Sequence, residues 1–180
     1  MGAMTEATLD RLWSVHEIQQ LAFRYAWAFD IRDKELFLSL WAEPDESDGV
    51  STYPQIDLRS IRRDLDLFFD RGPSVMFVGN HLIEFEDERN AHGVVYAWPQ
   101  VREDDGFIDQ QVVYRDRYVL RGERWKFLHR RHLLRYGIGR ERDPFDQAAA
   151  EWPKRQVGRG VGPEELAPEQ ADWFAPRRRP

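Results

Sequence analysis

The chain has no cysteine. Disulfides, thiolate nucleophiles and cysteine-ligated metal centres are therefore excluded together. It also lacks any apolar run of the roughly 18 residues that a membrane-spanning helix needs, so no membrane partner is expected. No glycine-rich turn follows a strand-like segment, which removes support for a nucleotide phosphate cradle. Basic pairs such as Arg62-Arg63 and Arg130-Arg131 are interleaved with acids. With a net charge of -6 they disfavour a nucleic-acid partner. The first residues lack the basic and apolar regions of a secretion signal, and a cytoplasmic protein is expected. Aromatic side chains, by contrast, make up 13% of the 180 residues and hydrophobic ones 42%. That supports one sizeable core and rules out a disordered chain.

Ile18, Leu21, Ala22, Tyr25 and Ala28 recur at the spacing of one helical face, predicting a helix over 8–29. Trp13, Phe23, Trp27 and Phe29 broaden that face, so the helix should be largely covered. Asp30 falls at its end. A short helix over 34–41 follows, carrying Leu36, Phe37, Leu40 and Trp41. After an acidic loop, a third helix is expected over 57–70, with Asp57 as its N-cap and Leu58, Ile61, Leu65, Phe68 and Phe69 inward.

Beyond Arg71-Gly72-Pro73 the period changes from helix to strand. Segments 74–87 and 91–101 form one hairpin, and 107–120 and 125–136 another. Three helices followed by two long hairpins spell an α+β fold, with a curved antiparallel sheet closing over the helices. A first turn centred between Glu88 and Arg89 places His81 opposite Tyr96 and Gly79 opposite Trp98, so both aromatics would flank His81. A second turn near Gly122-Glu123 places Asp116 opposite His129 and Tyr114 opposite Arg131. A slip of one residue would reverse either inference. Three segments result: a tag remnant or N-terminal arm over 1–7 with a native start at Met4, a domain over 8–136, and a Pro/Gly-rich extension over 137–180. Phe145, Trp152, Trp173 and Phe174 predict that part of the extension packs on the domain or on a neighbouring subunit.

The stretch His16-Glu17-Ile18-Gln19-Gln20-Leu21 through Tyr25, with Ala28-Phe29-Asp30 and Leu36 to Trp41, resembles the SnoaL-like branch of the nuclear-transport-factor-2-like superfamily. Gly79-Asn80-His81 resembles that family's asparagine-histidine strand start. Tyr114 to Tyr118, Gly122 and Trp125 to Arg131 resemble its closing hairpin. The resemblance implies a cone-shaped α+β barrel, three N-terminal helices packed on the curved sheet. It also implies homo-oligomers, with a trimer favoured and a dimer possible. Scytalone dehydratase, the bile-acid 7-alpha-dehydratase and the hexachlorocyclohexane dehydrochlorinase of this branch perform eliminations with a His-Asp pair and no metal or organic cofactor. By that likeness His81 would be the base, Asp30 its partner and Tyr25 an oxygen-binding donor.

The residue types suit that chemistry. Elimination beside an acidified C–H needs a base near neutral pKa, and histidine supplies one. An aspartate on the opposite ring nitrogen would hold the tautomer. Tyr25 and Asp30 lie about 140° apart around a helix, so both line one pocket only if the helix ends or bends there. Tyr96, Trp98, Phe77, Arg131, His129 and Tyr114 are the expected substrate-binding residues, and Asp116 with His129 is a second candidate acid–base pair, cross-strand charge pairs of this kind being more often structural. Which of Arg130 and Arg131 faces inward stays open. His129 and His132 have the wrong spacing for a shared strand face, so no metal site is expected. The bland alternatives are that Asp30 neutralises an arginine and His81 is a satisfied core histidine. Two functions follow: a cofactor-independent lyase or isomerase acting on a small apolar cyclic substrate, or a non-catalytic ligand-binding or scaffold module such as an oxygenase small subunit.

Overall fold

The computed structural model describes residues 6–45, 54–70, 72, 74–103, 106–161 and 163–166. Helix α1 (Glu6–Asp30) buries Ile18, Leu21, Ala22, Tyr25, Ala28 and Phe29, the face set by its period. Trp13, Phe23 and Trp27 correct the expected width of that face, because all three remain exposed on its other side. The helix ends in a Schellman motif. Arg32 N–H donates to the Phe29 carbonyl at 3.3 Å and Asp33 N–H to the Ala28 carbonyl at 2.9 Å. Arg32 takes the left-handed position with φ 61°, and Asp33 then caps α2 (Lys34–Ser39) by accepting from Leu36 N–H at 2.8 Å.

The two-residue strand β1 (Gln55–Ile56) leads into α3 (Leu58–Phe69). Asp57 caps α3 as expected, accepting from Ser60 N–H at 2.8 Å while Ser60 Oγ accepts from Asp57 N–H at 2.9 Å. The helix kinks at Asp64. Four long strands follow: β2 (Ser74–Phe85), β3 (Asn90–Glu103), β4 (Gly106–Arg121) and β5 (Arg124–Arg140). They form one antiparallel sheet in the order β1-β5-β4-β3-β2, with α1 packed across its concave face. The α+β class with three helices on a curved sheet is therefore the observed one. At its centre Tyr25, Phe29, Phe37, Trp41, Phe69 and Phe127 pack ring against ring, with Phe29 and Phe69 stacked at 5.0 Å.

Both hairpins depart from the expected register. In the first, Phe85 pairs with Ala91 and His81 with Val95, one residue away from the anticipated pairing. A bulge at Gly79-Asn80 then makes Phe77 pair with Trp98. In the second, the turn is where the sequence places it and Tyr118 pairs with Phe127. One extra residue, Leu128, shifts everything beyond it, so Asp116 pairs with Arg130 and Tyr114 with His132. Strand β5 continues past Tyr136 to Arg140. Part of the extension does pack on the domain. Phe145 lies 6.0 Å from the Phe107 ring, and Arg102 engages both Asp143 and Asp146. Trp152 is exposed, and Trp173 and Phe174 lie outside the described residues. Among the described residues no helix is long and apolar enough to cross a membrane.

Candidate active site

A cavity of about 350 Å³ lies between α1, α3 and the concave sheet face. Phe29, Ile56, Phe68 and Val112 supply apolar wall, and the exposed Leu67 and Leu134 also line it. Its polar lining includes Tyr25, Arg32, Ser74, Tyr114 and His132. Tyr114 reaches across it, its hydroxyl 3.8 Å from Met76 Sδ and its ring 4.9 Å from that of His132.

Asp30 does not line this cavity but is flanked by residues that do, Phe29, Arg32 and Met76. Its Oδ2 accepts from Met76 N–H at 3.3 Å, while Oδ1 is buried without a hydrogen-bond partner. Burial pushes the carboxyl up to about 7, against the opposing pull of the Met76 N–H and the Arg32 charge. Arg32 is 2% exposed, and burial lowers its pKa to about 10 despite Asp30 and Asp70 nearby. It therefore stays a cation at neutral pH. A non-glycine residue in left-handed geometry costs roughly 1–2 kcal/mol.

His81 belongs to a different constellation. Tyr118 donates its hydroxyl proton to Asp116 Oδ2 at 2.8 Å, so the 2.9 Å contact between Tyr118 Oη and His81 Nε2 has the imidazole as donor. Asp116 in turn accepts from Arg130 Nε and Nη2 at 2.8 and 2.7 Å. His81 Nδ1 is buried without a partner. Burial lowers the His81 pKa to about 4, with Asp116 raising it and Arg130 lowering it less strongly. Room for the Tyr118 ring depends on Gly93, where a Cβ would stand 3.0 Å from that ring and 2.7 Å from the Leu82 carbonyl.

The expected hydrogen-bonded pair of His81 and Asp30 is therefore not formed: the strand residue beside Asp30 is Met76, and the His81 ring is directed to Tyr118. Tyr25 and Tyr114 do line the cavity, but Asp30 does not share that lining with Tyr25 although α1 ends there. Phe77, Tyr96 and Trp98 are corrected to the outer sheet face, because the first turn and the bulge at 79–80 shift their register against His81. His129 and Arg131 are corrected likewise, because Leu128 turns Arg130 and His132 inward instead. Asp116 pairs with Arg130 and not with His129. The site residues missed from sequence are Arg32, Ser74 and His132. Only an arginine at a helix C′ position, where glycine is usual, offered an advance signal for any of them.

The buried ionisable groups predict the pH dependence of stability. His81 at about 4 and His132 at about 3 sit below the histidine reference of roughly 6.5. They remain neutral in the fold while the unfolded chain protonates, so stability is lost as pH falls below that reference. Asp30, raised to about 7, works the other way, losing stability as pH rises from its unfolded value toward 7. Two histidines outweigh one aspartate between pH 4.5 and 6.5, where the net loss on acidification should be about 1–2 kcal/mol. Thermal unfolding should peak near pH 7 and His132→Phe should flatten the acid limb. A wild-type Tm unchanged between pH 4.5 and 6.5 would refute this.

Residues 10–131 match the family model of the SnoaL-like domain, and the chain belongs to that family. Similar solved structures include a type 2 hexachlorocyclohexane dehydrochlorinase, with 20% identity and a TM-score of 0.62 over 73% of this chain and 92% of the other. A candidate scytalone dehydratase from Novosphingobium aromaticivorans has 18% identity and a TM-score of 0.62 over 78% and 99%. The type 3 dehydrochlorinase from Novosphingobium barchaimii has 23% identity and a TM-score of 0.61 over 74% and 94%. At these identities the likeness defines the nuclear-transport-factor-2-like fold. No functionally curated protein matches the sequence.

Proposed function

We propose that the chain is a cofactor-independent lyase or isomerase that holds a small, largely apolar cyclic molecule in the cavity and transfers a proton through Asp30. The observation carrying this reading is a buried carboxyl with one oxygen lacking a partner, set among cavity-wall residues, where burial raises its pKa to about 7. A carboxyl near neutral pKa both accepts and returns a proton at physiological pH. Asp30 would reach the substrate by turning off the Met76 N–H or through one water, and the Tyr114 hydroxyl would steady the oxygen that gains charge. The dehydratase and dehydrochlorinase neighbours are in keeping with this class.

The test is deuterium exchange. A panel of small cyclic ketones in D₂O should lose α-protons faster with the protein present. A second reading, ligand binding without turnover, is favoured by Asp30 standing outside the cavity lining and His81 being engaged with Tyr118. Ligands that bind the protein yet never exchange, across the whole panel, would decide for it.

We also propose that the outer sheet face mediates homo-oligomerisation, with a trimer favoured. Phe77, Leu82, Tyr96 and Trp98 lie exposed there, Phe77 directly opposite Trp98. Light scattering on the eluting protein should give a multiple of 21.4 kDa, reduced by Trp98→Glu. A wild-type monomer at micromolar concentration would overturn this.

A further inference from the structure

A second cleft, of about 300 Å³, lies between α1, α2 and the start of β5 and shares no lining residue with the cavity. Trp13, Glu17, Gln20 and Arg24 line it from one face of α1, at the i, i+4, i+7, i+11 spacing. Arg124 and Lys126, alternate residues of β5, line it from the sheet. In a chain of net charge -6, this cleft gathers the cations Arg24, Arg124 and Lys126 around a single carboxylate, Glu17.

That carboxylate is already engaged, since Arg124 Nη1 donates to Glu17 Oε1 at 3.2 Å. Lys126 Nζ donates to the Ser39 carbonyl, a neutral partner. Arg24 is exposed and has no carboxylate partner among the described residues. Two positive charges are thus left without a counter-charge. They are close enough to feel one another: burial, then the charges of Arg124 and Arg24, lower the Lys126 pKa against the pull of Glu17. The fold gains nothing from such repulsion, whereas a bound anion would turn it into attraction. Trp13, in the same lining, is 61% exposed and offers a flat apolar surface beside the charges.

We infer that this cleft is a second binding site, which takes a small phosphate monoester: Arg24, Arg124 and Lys126 receive the phosphate, and an attached ring lies on Trp13. Above its second pKa of about 6, a phosphate carries nearly two negative charges and three strong acceptor oxygens, which matches the charge left over. Guanidinium forks and a lysine ammonium are its ordinary receivers. A sulfate ester has nearly the same shape but only one charge, and would leave half of the excess unmatched. The inference does not depend on what the cavity binds.

Calorimetric titration of the full-length protein with phenyl phosphate and phenyl sulfate at pH 8 tests this. Phenyl phosphate is expected to bind at least about ten times tighter, the range charged hydrogen bonds supply. Arg24→Gln should weaken it about tenfold. Arg155→Gln removes the same charge from an exposed position outside the cleft and should leave the affinity unchanged. Glu17→Gln should tighten binding, because it frees Arg124 from a competing carboxylate. Inorganic phosphate separates the ester from the free ion: it should bind about fivefold more weakly than phenyl phosphate and ignore Trp13→Ala, which should bring phenyl phosphate down to the same level. No binding at millimolar concentration, equal affinities for the two esters, equal losses in Arg24→Gln and Arg155→Gln, or weaker binding in Glu17→Gln each overturn the inference. Phenyl phosphate binding that survives Trp13→Ala undiminished would overturn the ester and leave free phosphate as the ligand.

Discussion

Replacing Arg130 by methionine is expected to lower the unfolding free energy by about 3–5 kcal/mol, the cost of leaving a buried charge without its partner. Arg130 is 1% exposed and holds Asp116 through two hydrogen bonds. Its guanidinium lies 4.1 Å from the ring centres of both Tyr25 and Tyr114 and 4.5 Å from that of Phe127. Burial works against the charge, but Asp116 overcomes this and holds the guanidinium's pKa above its ordinary value. Without Arg130 the Asp116 carboxylate would keep only the Tyr118 hydroxyl. For a chain of this size the loss corresponds to a fall in Tm of roughly 10 °C. Asp116→Leu combined with Arg130→Met should recover most of it, since removing both members leaves no orphaned charge. A single variant melting within a degree or two of wild type would show that the pair contributes little.

Asp30→Asn carries the second large effect. If Asp30 moves the proton, catalysed exchange should fall about 10²- to 10⁴-fold, the usual contribution of a positioned acid–base group. Asparagine keeps the oxygen that accepts from Met76 N–H, so the fold should survive. The stability readout separates chemistry from damage. The wild-type carboxyl resists ionisation up to about 7. The Tm difference should therefore move in favour of the variant between pH 4 and 8, by up to about 4 kcal/mol of stability. Undiminished exchange in the variant would remove Asp30 from the mechanism whatever its stability does.

The fold was legible because its signals are local. The 3.6-residue period of α1, the Asp57 cap and the alternation in four strands each report on their own segment. The faces of α1 were less so, since Trp13 and Trp27 are apolar by type yet exposed by position. Site residues depended on register, which periodicity leaves undetermined by one. Leu128 leaves no sequence mark and Gly79 inside its strand leaves only a general one, and each bulge moved an expected group to the other face. Tyr25 and Tyr114 escaped this error because α1 contacts and the core fix them directly. Ser74 and His132 acquire meaning only from a cavity that does not exist until the chain folds.

The bulge at Gly79-Asn80 has a further consequence. It breaks β2 into two halves whose side chains are phased independently, Ser74 and Met76 serving the cavity and His81 serving the Tyr118–Asp116–Arg130 chain. Insertion or loss of one residue at that joint would rephase one half and spare the other. The two polar neighbourhoods on the concave face are thus separable by a single indel, and lineages sharing this scaffold have a one-step route to exchange one set of inward groups while inheriting the other.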